Sequence, residues 1–413
     1  MPDQLRQDST VRIRDKEQIY SCRYEVLKKC IVEVTHLQVK TRLFFKPNHF
    51  ICLFCSMQGK TIAYETLYDF TYGVFKKLGV ADAGLAAKAL LAADIRGVDS
   101  HGVARLSGYI RLIEAGRIHP AALPKIIYES PSTATVDGDK GLGLTVAPFA
   151  MQTAIEKAKT CGTGWVSVKN SNHFGIAAFH AMMALEHEMI GIAMTNASAL
   201  VAPTFAAERL LGTNPICVVI PAGEQPPFVA DMATTTAANG KLEILQRKGE
   251  AAPVGWIQDQ AGNITTDAHA LKNGGALLPL GSDKERGSHK GYALGAVVDI
   301  FSAVLSGANY GPWVPPFPAY VPMPQGQPGE GIGHFFGAMR IDAFRPAAEF
   351  KQHMDNWISR FRAAKPVDGQ ERVVIPGDPE REMEAERRNK GIPLHTAVVA
   401  DLKALAQRFD LTF

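Results

Sequence analysis

One segment of the chain, Asp99–Tyr109, collects side chains that could together bind and transform a small carboxylic acid. It contains Ser100, His101, Arg105 and Tyr109. A guanidinium can bind a carboxylate through two parallel hydrogen bonds, and an imidazole exchanges protons near neutral pH. The segment therefore predicts a site in which Arg105 holds a carboxylate while His101 faces the neighbouring carbon atom.

The same segment predicts a helix. Ser100 is a residue type favoured at helix N-caps, and apolar residues recur at helical spacing from Leu106 onward. A helix beginning at Ser100 would set His101 beside free backbone N–H groups, at the positive end of the helix dipole. Arg105 and Tyr109 are four residues apart and would share a second, polar face. Taken alone, the segment could also be a capped surface helix with incidental polar residues.

A second histidine stands where parallel sheets usually bind ligands. The sequence predicts a strand over 165–168, a helix over 176–187 and a strand over 190–195. A strand–helix–strand run of this length is typical of a crossover that joins a pair of parallel strands. Ligands of such sheets lie at the carboxyl ends of the strands, and His173 lies in the loop that follows the first strand.

Three further segments carry polar groups at predicted strand or helix ends. They are Asp231-Met232-Ala233 after a strand over 228–232, His289-Lys290 before a helix over 292–305, and Gly333-His334-Phe335 at a strand over 334–341. The chain after Asp231 is expected to turn directly into a helix whose N-terminus could hold a phosphate. Cations before the 292–305 helix oppose its dipole, and a bound anion would remove that conflict. The 292–305 helix itself is apolar nearly all round, which predicts burial.

The composition is that of an ordinary globular protein. Of the 413 residues, 21% are charged and 46% are hydrophobic, and the formal net charge is +3. The basic residues are spread along the chain, so no basic patch favours nucleic acid or an anionic membrane. The sequence has no apolar run of membrane-spanning length and no apolar signal segment at its start. We therefore expect a cytoplasmic protein.

The pattern divides the chain into four parts, and the fold class that it predicts is α/β. Residues 1–56 lack helical periodicity and hold four of the six cysteines, including one CxxC pair, so we expect an extension outside the fold, either disordered or the product of a mis-started translation. Residues 57–125 predict a helical segment on the substrate side. Residues 126–345 predict a mixed α/β domain that binds the cofactor. Residues 346–413 predict helices that pack with the N-terminal helical segment.

Metal-dependent catalysis and catalysis by a nucleophilic side chain are the alternatives to proton transfer by these histidines. His173, His180 and His187 recur every seven residues, but seven helical residues rise about 10.5 Å, which is too far for one shared zinc ion. We therefore predict no metal site from this trio. A metal-dependent hydrolase using Asp99, His101 and His173 stays an alternative, as does a non-catalytic interaction protein. The chain has neither a G-x-S-x-G elbow nor a G-x-G-x-x-G fingerprint between a strand and a helix.

Seven short strings, in the same order along the chain, resemble those of the type-2 malate/L-lactate dehydrogenase family. They are Arg96–Arg105, Asn170–Gly175, Thr213–Pro215, Asp231–Ala233, Leu278–Gly281, His289–Tyr292 and Gly333–Phe336. The family also contains ureidoglycolate dehydrogenases, diketogulonate reductases and piperideine-2-carboxylate reductases. The resemblance begins at residue 57 and leaves the first 56 residues outside.

The resemblance implies an oxidoreductase that transfers a hydride between NAD or NADP, with NAD favoured, and a small L-2-hydroxy acid such as malate or lactate. It also implies a nicotinamide-binding fold unrelated to the Rossmann fold, and a homodimer. Matching positions make His173 the proton acceptor and His101 a candidate proton donor, and they place Arg105 and Tyr109 at the substrate. We expect Ser100 to bind the substrate as well. The positions that match the cofactor site are Asp231, Met232, Ala233, His289, Lys290, Gly333, His334 and Phe335. Sibling activities on an imino acid, ureidoglycolate or a diketo sugar acid stay open, because they differ only in pocket contacts.

Overall fold

The computed structural model describes residues 59–413, which form a mixed α/β fold. The extension predicted over 1–56 and its cysteine pair lie outside the described residues. Within 59–413, every helix is too short or too polar to cross a membrane.

Helices dominate the first part of the described chain. Strand β1 spans Lys60–Ile62, helices α1 and α2 span Tyr64–Lys77 and Ala83–Ile95, two 3-10 turns cover Asp99–His101 and Val103–Arg105, and α3 spans Leu106–Glu114. Gly79, with a φ of 75°, follows the end of α1. The Asp82 carboxylate accepts a hydrogen bond from the Leu85 N–H (2.9 Å) and so caps α2.

The prediction that a helix begins at Ser100 is wrong. The α-helix begins at Leu106, and Ser100 and His101 lie in a 3-10 turn that precedes it. The reason is the buried Asp94 carboxylate, which accepts a hydrogen bond from the Val103 N–H (2.6 Å) and folds the chain back onto α2. His101 is therefore oriented by this turn, and not by a helix N-terminus.

The central elements alternate between strands and helices. They are β2 Lys125–Glu129, β3 Thr133–Asp137, α4 Gly143–Cys161, β4 Thr163–Ser171, α5 Ala177–Met182, a 3-10 turn Met183–His187, β5 Met189–Thr195, β6 Ile216–Ile220 and β7 Phe228–Met232. After them come α6 Asn239–Lys248, β8 Ile257–Gln258, β9 Ile264–Thr265, β10 Ala276–Leu277, α7 Ser288–Asp299 and a π-helical turn Ile300–Val304. The last elements are β11 Ile332–Arg340, α8 Ala347–Arg362, α9 Asp378–Lys390, β12 Ile392–Leu394 and α10 Thr396–Phe409.

The main sheet has the strand order β2-β3-β4-β11-β5-β6-β7. The predicted pairing of the two strands around 165 and 195 is wrong, because β11 lies between β4 and β5 and is antiparallel to both. His334 on β11 is opposite Val168 on one side and Thr195 on the other. The parallel pair of this sheet is β3 with β4.

One edge of the sheet collects the segments that carry the predicted site residues. Strands β4, β5 and β7 all end there, and β11 and β6 begin there, because β11 and β6 run antiparallel to the strands beside them. The loop with His173 leaves this edge after β4. Asp231 lies near the end of β7, which is four strands away in the sheet order.

Two other expectations from the sequence are wrong. The chain after Asp231 does not enter a helix directly, since α6 begins at Asn239. The apolar segment 292–305 is not buried all round, because one row of its side chains is between 38% and 60% exposed. This row consists of Tyr292, Val297, Ile300, Phe301, Val304 and Leu305.

Two large apolar cores hold the fold together. The first joins α1, α2 and α3 to β12 and α10, with Leu67, Leu90 and Leu402 among its fully buried side chains. The second lies between α4 and the main sheet and includes Val166 and Phe336. Helix α8 instead contacts the turn between β6 and β7, where its Asp355 carboxylate accepts backbone N–H bonds.

Candidate active site

The turn between α2 and α3 carries three of the predicted site residues. Arg105 Nε donates to the Ser100 carbonyl oxygen (2.6 Å) and closes the turn. Its two terminal guanidinium nitrogens have no hydrogen-bond partner within residues 59–413, so both are open to a planar anion. Ser100 Oγ lies 2.9 Å from His101 Nδ1 and orients that imidazole.

His173 reaches the same place from the loop after β4. Its Nδ1 lies 2.6 Å from the Oη atom of Tyr109 on α3. The centroids of the His173 and His101 rings are 5.6 Å apart, with 27° between the ring planes. Tyr109 is completely buried, so its hydroxyl faces His173 and not solvent. The fold thus brings together the two histidines, the arginine, the serine and the tyrosine of the predicted substrate site.

The hydrogen bonds of His173 define where its proton lies in the resting ring. The Gly175 N–H can only donate, and it lies 3.3 Å from Nδ1, so Nδ1 is an acceptor. Tyr109 Oη–H therefore also donates to Nδ1, and the neutral ring carries its proton on Nε2. In the described part of the chain, neither His173 nor His101 uses Nε2 in a hydrogen bond, which leaves both atoms available to a substrate oxygen.

Both imidazoles are neutral at pH 7. Loss of hydration is the main reason that the pKa of His101 is lowered to about 4, and the Arg105 charge acts in the same direction. Burial also lowers the pKa of His173 well below its usual 6.5, with smaller contributions from His101 and Arg105. A neutral imidazole can accept a proton, so the site is suited to removing one from a bound hydroxyl group.

The residues predicted at the cofactor lie in different surroundings. Asp231 and Met232 are exposed at the end of β7, and Asp231 Oδ2 accepts a hydrogen bond from the Ala178 N–H (2.8 Å) on α5. Ala233 is partly buried. A Cβ atom on Gly240 would lie 3.0 Å from the Ser100 Cβ, so the segment that follows β7 reaches the substrate turn.

His289 and Lys290 are both exposed in the first turn of α7. Gly333 and Phe335, at the start of β11, are buried. The Gly333 N–H donates to Asn196 Oδ1 (3.0 Å), which ties β11 to the end of β5. Of these four predicted cofactor residues, His289 and Lys290 therefore present their side chains to solvent, where a ligand can reach them.

His334 differs from the other predicted cofactor residues, because its side chain is completely buried. Its Nδ1 lies 2.7 Å from Thr195 Oγ1, and its Nε2 lies 2.8 Å from Ser171 Oγ. Both ring nitrogens are therefore occupied by hydroxyl groups of the neighbouring strands. The ring ties β11 to the ends of β4 and β5, directly behind the loop that carries His173.

Sequence reasoning missed two residues that shape the site. Asp94 holds the substrate turn through the Val103 N–H, and burial raises its pKa to about 8. A carboxylate in the apolar helix α2 was a signal that could have revealed it. Phe317 packs against His173 and Tyr109, with ring centroids 5.0 and 5.3 Å away. No local pattern in its proline-rich loop indicates this contact.

The residues of the hydrolase alternative are arranged differently from what that alternative requires. The Asp99 carboxylate accepts hydrogen bonds from the Arg387 guanidinium on α9, which also donates to the Asp94 carbonyl oxygen. Across residues 59–413, His, Cys, Asp and Glu side chains form no group of three or more that could hold a metal ion. The Asp99 side chain is thus part of an ion pair that supports the turn.

An open guanidinium and two neutral imidazoles can bind a small carboxylic acid and accept a proton from its neighbouring hydroxyl group. The sequence comparison makes the class specific. The chain belongs to the malate/L-lactate dehydrogenase family, whose sequence model matches residues 62–403. The predicted family resemblance is confirmed.

Named relatives agree with this family over nearly their whole length. A malate dehydrogenase of Pyrococcus horikoshii is 42% identical over 347 residues, covering 83% of this chain and 94% of the relative. An L-sulfolactate dehydrogenase of Methanocaldococcus jannaschii is 36% identical over 343 residues, covering 82% and 94%. The crystal structure of malate dehydrogenase from Entamoeba histolytica aligns with a TM-score of 0.80 at 35% identity, covering 86% of this chain and 99% of that one.

Proposed function

We propose that the protein interconverts a small L-2-hydroxy acid and its 2-keto acid, with NAD or NADP as the hydride carrier. Malate or lactate is the preferred substrate of this proposal. The observation that carries it is the convergence of Arg105, His101 and His173, which are distant along the chain, with open hydrogen-bonding atoms on all three. Family membership supports the same reaction class.

In this proposal each residue acts on a defined part of the substrate. The two terminal nitrogens of Arg105 bind the carboxylate and fix the orientation of the adjacent carbon. His173 exchanges a proton with the substrate oxygen through Nε2, while Nδ1 stays bonded to Tyr109 Oη. This bond survives a change of tautomer, because a phenol hydroxyl can either donate to a bare nitrogen or accept from N–H. His101 orients the substrate or shares the proton.

In the reduction of a keto acid, the Nε2–H of His173 donates a hydrogen bond to the keto oxygen. The proton passes to that oxygen from the imidazolium form, which has taken a second proton from solvent at Nδ1, and the ring is left neutral with its proton on Nδ1. Acceptance of a hydroxyl proton at Nε2 requires the other tautomer, with the proton on Nδ1 and Tyr109 Oη as acceptor. The contact from the Gly175 N–H is then weakened. We therefore include a shift of the His173 proton in the oxidation reaction.

The first turn of α7 fits an anionic part of a dinucleotide. Its N-cap residue is Gly287, no side chain caps the helix, and His289 and Lys290 are exposed in its first turn, where their side chains can reach an anion. Asp231 and the chain that follows it are further candidates for cofactor contact. The nicotinamide ring would supply the hydride acceptor when bound. The sheet, with β11 antiparallel between β4 and β5, supports a mode of binding other than that of the Rossmann fold.

We propose NAD over NADP as the cofactor, and the composition leads us to propose a cytoplasmic location. Sibling reactions on an imino acid, ureidoglycolate or a diketo sugar acid would also bind the substrate carboxylate through Arg105. They are the second candidate, because the residues that contact the rest of the substrate determine which molecule is accepted.

We extend the proposal to a homodimer. The exposed row Tyr292, Val297, Ile300, Phe301, Val304 and Leu305 is apolar and extends along α7 and the π-helical turn. Exposed apolar surface of this kind is typical of a protein–protein interface. The row begins next to His289 and Lys290, so a second copy that covers it would lie close to the proposed cofactor site.

One assay tests the proposed reaction. The purified full chain is incubated with a panel of 2-hydroxy acids and NAD or NADP, and separately with 2-keto acids and the reduced cofactors, and the absorbance of reduced nicotinamide is followed. We expect turnover of malate or lactate in the first series and of the matching keto acids in the second. Absence of turnover across the whole panel, with cyclic imino acids included, would reject the dehydrogenase proposal.

A further inference from the structure

The proline-rich loop between the π-helical turn and β11 inserts one aromatic side chain into the candidate site. Phe317 lies with its ring centroid 5.0 Å from that of His173, at an interplanar angle of 60°, and 5.3 Å from that of Tyr109, at 89°. The Arg105 guanidinium lies over the same ring, 5.5 Å from its centroid. The Phe317 ring therefore contacts His173, Tyr109 and Arg105.

The position of Phe317 is fixed from both sides by a single arginine. The Arg117 guanidinium donates to the carbonyl oxygens of Pro316 and Pro318 (3.4 Å for the latter), the two residues that flank Phe317. Arg117 follows α3, so it fastens the loop to the helix that carries Tyr109. Proline restricts the backbone on either side of the aromatic residue and reduces the freedom of the loop further.

Helix α3 also leaves space for the Phe317 ring at Gly108. A Cβ atom on Gly108 would lie 2.5 Å from Phe317 Cε1, so a larger residue would force the ring away from the helix. Gly108 lies in the first turn of α3, although glycine is an unfavourable helix former. The glycine, the arginine and the prolines thus act together to hold one aromatic side chain against the site.

We propose that Phe317 determines substrate specificity by forming the apolar wall that faces the substituent on the reacting carbon. The proposal rests on the proposed function. Arg105 binds the carboxylate and His173 faces the oxygen on the reacting carbon. Because Phe317 contacts both residues, it limits the space for the remaining substituent of that carbon. The ligand class is therefore 2-hydroxy and 2-keto acids with a short substituent, and Arg117 is the positioning residue of the wall.

The test compares straight-chain 2-keto acids of increasing length with the wild-type protein and the variant Phe317→Ala. We expect wild-type kcat/KM to fall as the chain lengthens. In Phe317→Ala the ratio of kcat/KM for 2-oxohexanoate to that for pyruvate should rise by about tenfold or more, since each methylene in an apolar pocket is worth about 10–200-fold. Arg117→Gln should shift the ratio in the same direction by a smaller factor.

Tyr320→Ala is the matched control, because Tyr320 lies in the same loop and is 84% exposed. Its ratio should equal that of the wild-type protein. A Phe317→Ala variant that slows every keto acid by the same factor would overturn the specificity role. If that variant does not fold, Phe317→Leu replaces it, with a smaller rise expected and an unchanged ratio counting against the proposal. Wild-type protein that turns over no keto acid would reject the proposed function instead.

Discussion

Tyr109 Oη lies 2.6 Å from His173 Nδ1, although Tyr109 is on a helix near the start of the described chain and His173 is in a loop of the main sheet. The bond joins the first core to the edge of the sheet where the candidate site lies. Both the phenol and the Gly175 N–H face Nδ1, so they set the ring orientation and leave Nε2 for the substrate. The Tyr109 hydroxyl therefore acts on the orientation of His173 more directly than on the substrate.

This bond predicts a modest kinetic loss and an unchanged tautomer in Tyr109→Phe. A neutral hydrogen bond is worth about 0.5–1.5 kcal/mol, so kcat should fall roughly 2–10-fold. Nitrogen-15 NMR of histidine-labelled protein should show the His173 proton on Nε2 in both the wild-type protein and the variant, because the Gly175 N–H remains. Assignment uses His173→Gln. A wild-type ring protonated on Nδ1 would contradict the hydrogen-bond assignment.

Arg105→Lys should weaken substrate binding more than it slows the reaction. Lysine replaces a planar fork by a point charge and loses the Nε bond to the Ser100 carbonyl oxygen. Charge-assisted hydrogen bonds are worth about 1.5–3 kcal/mol, so KM for the acid should rise roughly 10–150-fold. Arg111→Lys, an exposed change on the same helix, is the control and should leave KM unaltered. An unchanged KM in Arg105→Lys would place the carboxylate elsewhere.

Much of the fold followed from local patterns. The sequence pattern predicts a helix over 83–95, strands over 216–220 and 228–232, and a helix over 396–409, and these are the limits of α2, β6, β7 and α10 in the structure. Each has a clear period and a glycine, proline or capping residue near its end. The position of β11 between β4 and β5 did not follow. That pairing joins segments more than 130 residues apart, and no local period records which strands become neighbours.

The residues that carry the chemistry of the site could be predicted from the sequence, whereas the residues that hold them in position could not. His101, Arg105 and His173 could be selected because their side-chain types suit acid–base and carboxylate chemistry. Asp94 and Phe317 act through contacts made only in the folded chain, with the Val103 N–H and with the ring of His173. Such contacts depend on tertiary packing, so sequence spacing alone does not reveal them.

The lowered histidine pKa values predict activity that persists under mildly acidic conditions. The pKa of His101 is about 4 and that of His173 is well below 6.5, so a change of pH from 8 to about 5.5 should bring no protonation of either ring centred near 6.5. For oxidation of the hydroxy acid, kcat/KM should therefore show no loss with a midpoint near 6.5. His173→Ala should lower kcat by about 10²–10⁴-fold at every pH in this range.

The pH profile is measured in overlapping buffers, with circular dichroism at each pH to establish that the protein stays folded. A single-proton decline of kcat/KM centred near 6.5, which disappears in His101→Gln or His173→Gln, would show that the ring in question is hydrated in the free protein. Near-normal turnover by His173→Ala would remove His173 as the proton acceptor and leave His101 as the candidate.

Asp94 predicts a pH-dependent difference in stability. Burial is the main cause that raises its pKa to about 8, and the nearby Asp99 charge adds to it, while the Val103 N–H bond and the Arg387 charge oppose it. A folded-state pKa above the unfolded value of about 3.9 means that the folded chain keeps the proton longer. This group's contribution to stability is therefore fully present at low pH and is lost as the pH rises from about 4 to 8.

Asp94→Asn removes this titration and keeps an oxygen that can accept the Val103 N–H bond. The difference in melting temperature, variant minus wild type, should become more positive between pH 5.5 and pH 8.5. Thermal unfolding of both proteins at the two pH values measures it. Leu123→Ala, an exposed change that removes no titratable group, is the control and should show a pH-independent difference. A difference for Asp94→Asn that stays constant or falls would refute the raised pKa.

The exposed apolar row on α7 and the π-helical turn predicts that the protein is a dimer whose assembly depends on this row. Ile300 and Val304 are 49% and 52% exposed, and a charge at either position would be buried without a partner in the interface. The double variant Ile300→Asp/Val304→Asp should be monomeric in light-scattering measurements at a concentration at which the wild-type protein is dimeric. Val367→Asp is the control, because Val367 is 74% exposed and lies outside the row. A double variant that remains dimeric would place the interface on another surface, and a monomeric wild-type protein would exclude the dimer itself.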